Sequence, residues 1–436
     1  MATTNTTTTT TPTPTASPSP SVSHASITES IATDHVPPTA FVPNDGNLFP
    51  KWPSKLDKAS WDQWQVQCMA ADGSAGVVII FFRCTAHAPH GFRVMVNASW
   101  ASPAGNDGEE EKNKETVWNG DFKAPHSIVT ADPAGGVTGV WRGNDADGPP
   151  AFRFEVAADL SRAVVTLDVP GKVVGTVALT ALADFDNALP QTEAEVKFTP
   201  SFWWVRPIVM AGVTADLTFF PHSEDQKAAP GNDISSHFPE AGKRLQLSED
   251  GEGGHGAFGT MERGWSTLPT GKCLSLNWWV WGRAGPYVIQ VLWALGRPEE
   301  ARALWASARL YRDGQLVCAP QKAVEADAPQ EDGTDTLTME GLYDDEGKGG
   351  DRIAAPYRIK NIGHRIVFRS GRKAGEERTW VFETRHVRPW WNYALSAPGP
   401  SSSGLSTFVL SVSGGPTSSA ETFQGPGIVG GGIFPS

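Results

Sequence analysis

The sequence has no basic cluster. Its formal charge is −12, and lysines and arginines are scattered among a larger number of carboxylates. Phosphate backbones are held by grouped Lys and Arg, so nucleic acid is not an expected partner. Close cysteine spacing is also missing. Cys68, Cys84, Cys273 and Cys318 form no CxxC pair. A zinc site and a disulfide framework are therefore not expected, and four reduced, buried thiols are. There is no long uninterrupted apolar run. The longest, from Trp278 to Leu295, is broken by Gly282, Arg283, Gly285, Pro286 and Gln290. No membrane span is expected. The first residues, MATTNTTTTTTPTPTASPSP, lack the basic and apolar regions of a signal peptide, which points to a cytoplasmic protein.

Motifs of familiar chemistries are missing too. The chain contains no GxSxG elbow, HExxH or P-loop, and no GxGxxG between a strand and a helix. His87 and His90 bracket Ala88-Pro89 but have no third ligand in reach, so no metal site is assigned. The adjacent pairs Asp344-Asp345 and Glu376-Glu377 diverge on extended backbone and make no glycosidase dyad.

What is abundant is turn residues and tryptophan. The 45 glycines and 34 prolines leave few segments long enough for a periodic helix, which favours short strands and turns. At 436 residues the chain has room for two domains and a tail. Residues 1–40, rich in Thr, Ser and Pro, are expected to be disordered. Alternating segments follow. Asp62 to Met69, a turn at Asp72-Gly73, and Val77 to Phe82 read as a hairpin. Strands are also expected at 91–100, 151–156, 163–169, 173–182 and 202–220, without helices between them. This spacing predicts a sandwich or barrel over residues 41–236. Polar residues 222–252 suggest a boundary, so a second β domain is placed at 237–436. It includes strands at 286–293, 308–311, 315–318, 358–368, 379–382 and 407–412. A glycine-rich apolar segment, 425–434, is typical of barrel closure.

The chain concentrates aromatic surface in one stretch, Gly251 to Trp293. It holds His255 among glycines, then Trp265, Trp278, Trp279, Trp281 and Trp293. This is the expected wall of an apolar pocket with one hydrogen-bonding handle. Successive strand residues face opposite ways, so Trp279 and Trp281 share a face that Trp278 does not. By the same rule only one of Trp203 and Trp204 points inward. His255 is either a histidine satisfying backbone groups in a glycine turn or a donor to a substrate carbonyl. Asp62 is either a strand-end charge or a pocket carboxylate. Arg283 is expected to stack on an indole, and Trp390-Trp391 to form either a lid or a surface cluster.

Several motifs together resemble a known family. They are Asp62-x-Trp64 followed by Asp72-Gly73, then Gly253-Gly254-His255, Trp265, the Trp278–Trp281 strand, Gly285-Pro286-Tyr287 and the turn Asp313-Gly314. The pattern resembles the fungal lipocalin-like Diels–Alderases, whose two-domain β architecture the bacterial carotenoid hydratase-like proteins share. The resemblance implies an all-β fold: an N-terminal β-sandwich-like domain, a C-terminal lipocalin-like β-barrel, and a pocket between and inside them. It implies no metal or organic cofactor. The family's histidine falls on His255 and its acidic residue on Asp62. Candidate pocket residues are Trp64, Trp203, Phe258, Trp265, Trp279, Trp281, Tyr287, Trp391, Ser406 and Phe408. One departure stands out. Before Ser413-Gly414-Gly415 the family tends to carry a polar residue and a Trp, whereas this chain has Leu405-Ser406-Thr407-Phe408. The usual carbonyl-binding group is therefore unaccounted for.

The expected function is a cofactor-independent, stereoselective 4+2 cycloaddition, Diels–Alder or hetero-Diels–Alder, in polyketide or polyketide–terpenoid biosynthesis. The expected partner is a small apolar polyene or quinone methide. A carrier without chemistry would use the same pocket. A hydratase or isomerase of the carotenoid type would add a proton donor, His255 or Asp62. Exposed sheet edges are compatible with a homodimer.

Overall fold

The computed structural model describes residues 19–84, 92–101, 116–222, 238–250, 256–329, 333–343, 361–371, 379–394 and 403–434, with the backbone alone for 392–394. Its described residues form almost entirely β structure in two large sheets. None of its described helices is long and apolar enough to cross a membrane.

The first sheet has fourteen strands. One edge is Ser21–Ser26 and the other Thr116–Lys123, with Phe202–Phe219 and Phe258–Ser266 near the middle. The sheet folds back on itself as a sandwich. Period-two faces explain why. In the strand Trp61–Met69, Trp64, Val66 and Cys68 point to one side and meet Val77, Ile79 and Phe81 of the next strand. This apolar face packs against Trp141, Phe154, Val165, Leu167 and Val177 from the opposite half. The Trp64 ring lies 5.4 Å from Trp141, edge to face. The face pointing out of the sandwich carries Trp61, Gln63 and Gln65, and the second domain covers it.

The second sheet closes. Leu274–Ala284 pairs with Tyr287–Gly296, which pairs with Leu304–Arg312. The ring continues through Lys322–Ala323, Thr336–Leu342, Gly363–Arg369, Thr379–Ala394 and Gly404–Pro416 to Phe423–Ile433. That last strand returns to Leu274–Ala284. Its glycines permit the close approach: a Cβ at Gly430 would collide with the Trp279 indole, and one at Gly431 with Trp278. The lumen is filled by side chains, among them Trp278, Tyr287, Ile289, Phe382, Phe408 and Leu410.

Two expected boundaries move. Ser21–Ser26 lies within the segment expected to be disordered, yet it pairs with His126–Ala131. Arg83 holds it from beneath, donating from Nη1 to Ser23 Oγ at 2.8 Å and from Nη2 to Ser23 O at 3.1 Å. Composition measures apolar area and cannot see a backbone ladder closed by a distant arginine. Residues 1–18 lie outside the described residues. The expected domain boundary at 236/237 also differs from the strand pairing. Lys243–Leu247 and Phe258–Ser266 both pair with Phe202–Phe219 of the first sheet. The chain crosses to the barrel between Ser266 and Leu274. The described part of the polar stretch, residues 238–250, thus still belongs to the first sheet through Lys243–Leu247.

Candidate active site

The two domains meet across a layer of large side chains. Met69, Val78, Met95, Val209 and Phe258 of the sandwich pack on Trp281, Val288, Trp390, Trp391, Val409 and Ile428 of the barrel. Polar contacts pin the seam, three short ones among them. Arg206 donates from Nη2 to Ser307 O at 2.8 Å. Gln290 donates from Nε2 to Val209 O at 2.8 Å. Arg388 donates from Nη2 to Gly73 O at 2.7 Å. Each donor is buried, so breaking one exposes unpaired groups to a dry environment.

Within this seam lies a cavity of about 140 Å³. The sandwich contributes Trp61, Gln63, Gln65, Ile80, Phe82, Arg93, Met95, Phe202 and Trp204. From the other side come Asn277, Trp279, Leu292, Trp391, Leu405 and Thr407 of the barrel. Its lining is mostly apolar and aromatic with a few polar groups, the ordinary character of a small-molecule site. Gln63 Nε2 donates to Gln65 Oε1 at 2.8 Å. Arg93 Nη1 donates to Asp121 Oδ2 at 3.0 Å. Next to the wall, Glu262 receives Gln67 Nε2 at 2.8 Å and the indole N–H of Trp204. Burial pushes the Glu262 carboxyl up, and Arg206, 3.6 Å away, pulls the other way. Trp204 is thus held at the cavity by a side chain outside it.

The expected site residues scatter. Trp279 and Trp391 line the cavity. Trp391 and Trp390 belong to the long strand Thr379–Ala394, and Trp390 is buried, so neither sits on a surface loop. Trp281 shares the face of Trp279 but packs in the seam against Phe258, ring centres 4.9 Å apart. Arg283 stacks on Phe258, 5.2 Å from the ring centre, rather than on an indole. Trp203 and Trp265 point away from the cavity and stack on each other at 6.1 Å. Trp64 lies in the sandwich core with its Nε1 bonded to Leu48 O. Asp62 is on that same inner side, fully buried, ion-paired with Arg263 and accepting from the Lys51 amide at 3.3 Å. Tyr287, Ser406 and Phe408 lie on the lumen side of the barrel wall. Phe408 stacks on His386 at 4.1 Å, and Tyr287 meets Phe382 and Phe423. His255 lies outside the described residues.

The pattern in these placements is one of phase. Trp204 lines the cavity, not Trp203; Gln63 and Gln65 line it, not Asp62 and Trp64; Leu405 and Thr407 line it, not Ser406 and Phe408. Alternation was legible, but the inward phase was not, because both faces of these strands are buried. A signal was present in Trp61 to Met69: its supposed outer face carries Trp61, three glutamines and no charge, which is unusual for a surface exposed to water.

Comparison with known proteins finds relatives across nearly the whole chain. Residues 17–435 match the family model described as Diels-Alderase-like. The chain is 37% identical over 413 residues to Diels-Alderase cghA of Chaetomium globosum, covering 92% of this chain and 74% of that protein. It is 31% identical over 416 residues to Diels-Alderase fsa2 of Fusarium heterosporum, covering 94% and 97% of the two chains. The crystal structures of CghA, alone and with Sch210972, superpose with a TM-score of 0.79 at 34% identity, over 95% of this chain and 99% of theirs.

Proposed function

Because the chain belongs to the Diels-Alderase-like family, we propose that its interdomain cavity closes a six-membered ring by 4+2 cycloaddition on a small apolar polyene or quinone methide. The observation that supports this reading is the cavity itself, walled by Trp61, Phe202, Trp204, Trp279 and Trp391 and dotted with uncharged donors and acceptors.

The chemistry asks for little else. Diene and alkene exchange three π bonds for two σ bonds and one π bond. No atom leaves and no proton or electron pair is passed to the protein. The barrier lies in bringing four carbon termini together in one geometry. A rigid aromatic wall supplies that order, and effective molarities correspond to about 7–11 kcal/mol at most. A donor on a carbonyl conjugated with the alkene supplies more, because negative charge grows on that oxygen as the bonds form. Gln63, Gln65 and Thr407 are placed to donate from the wall, and Trp204, held by Glu262, fixes the shape of the floor. His255 keeps its proposed role as a further donor. A cytoplasmic enzyme that pairs as a homodimer through exposed sheet edges fits this reading.

The test is to add purified protein to a linear precursor in buffer without added cofactor, following rate and stereoisomer ratio. A faster reaction or a single stereoisomer is expected, and Trp279→Ala should reduce both. Binding without any change in rate or ratio would instead make the protein a carrier.

A further inference from the structure

The cavity wall carries a cation to which ring closure has given no task. Among the described lining residues, Arg93 alone bears a charge. It begins the strand Arg93–Trp100, and its side chain is 7% exposed. One arm of the guanidinium is committed: Nη1 donates to Asp121 Oδ2, and the Asp121 side chain is 4% exposed. The plane lies over Phe82, 5.1 Å from the ring centre. Phe82 is itself a lining residue, so this stacking sets the guanidinium against the cavity. The Nε–H is buried and has no hydrogen-bond partner among the described residues. A buried donor left unpaired is costly, and either an ordered water or a ligand oxygen in the cavity completes such a group.

We propose that Arg93 is a catalytic residue, its Nε–H donating to the oxygen of a carbonyl conjugated with the reacting alkene. Asp121 and Phe82 hold the fork at the cavity wall, and the role requires the N–H to face the substrate. The donor is preorganised and its site is dry, so it strengthens as charge develops on the oxygen. The inference rests on the cavity being the substrate site, and it implies that the substrate carries an oxygen acceptor at the end lying against the sandwich wall.

The test uses two probes of one shape. They are sorbophenone, a phenyl ketone conjugated to a diene, and the hydrocarbon in which its carbonyl is reduced to a methylene. Binding is followed by quenching of tryptophan fluorescence, and the ketone also by its absorption maximum. The intact protein should bind the ketone more tightly and shift its absorption to longer wavelength, because a donor stabilises charge on the carbonyl oxygen. Arg93→Lys keeps a cation for Asp121 but removes the oriented N–H. It should weaken the ketone about tenfold or more and abolish the shift, with the hydrocarbon unchanged. A double variant, Arg93→Met with Asp121→Asn, removes the ion pair as a unit and should give the same pattern if the single lysine substitution disturbs folding. Equal weakening of both probes, or a shift that survives in both variants, overturns the role of Arg93 alone. If Trp204→Ala and Trp279→Ala leave both probes unaffected, or neither probe binds the intact protein, the cavity reading itself fails.

Discussion

The barrel lumen and the interdomain cavity are both walled by tryptophan strands, yet they do opposite things. A barrel of this general kind can hold a small ligand inside. Here Trp278, Tyr287, Phe382 and Phe408 occupy the lumen and pack as a core. The same strands turn their other faces to the sandwich, where Trp279, Leu405 and Thr407 line open space. One strand therefore packs the lumen with one set of side chains and lines the cavity with the alternate set, which in the proposed function would serve recognition. Neighbouring residues should respond to mutation in different ways.

The largest contrast pairs Asp62 with Gln63. Asp62→Asn leaves Arg263 charged and buried without its counterion. It should cost about 3–5 kcal/mol in denaturant unfolding. The stereoisomer ratio of the remaining folded protein should not change. A changed ratio with intact stability would mean that Asp62 reaches the cavity after all. Phe408→Ala and Trp279→Ala sharpen the comparison on the barrel side. Emptying the lumen of the Phe408 ring should cost about 3–5 kcal/mol. Trp279→Ala should cost less stability and lower the rate about tenfold, equivalent to about 1.4 kcal/mol of barrier. Similar stability losses with no kinetic difference would erase the distinction.

Acid should act through the lumen. His364 is buried, its ring 4.6 Å from Trp278, and its pKa is held well below 6.5, first by burial and then by His386. The unfolded chain takes up a proton on this residue that the folded chain refuses. Stability is therefore fully present above about pH 6.5 and falls as the pH drops below it, by at most about 1.4 kcal/mol per pH unit for this group. Melting temperatures across pH 7 to 5 should show the decline, and His364→Gln should flatten it. A decline unchanged in that variant would assign the effect elsewhere. The smallest contrast is between Ser406 and Thr407. Thr407→Ala should alter the isomer ratio, whereas Ser406→Ala should leave it and change stability by less than about 1 kcal/mol. The reverse result would invert the assigned phase of the strand.

Much of the architecture was legible. The hairpin at Asp72-Gly73 joins Trp61–Met69 to Ala75–Cys84, and Asp313-Gly314 joins two paired strands of the barrel. The glycine-rich end closes the ring as its composition suggested. Arg93 was not legible, because an arginine in an alternating strand reads as solvent-facing. Trp61 and Trp204 lie one position away from Asp62 and Trp203, on the opposite face of each strand.

By itself the sequence determined the β class, the strand periodicity and the family, since each rests on local pattern or on matching residues in order. Tertiary structure decided which face of each strand meets the cavity. A strand buried on both sides presents two hydrophobic phases of similar strength. Only the docking of sandwich on barrel chooses between them.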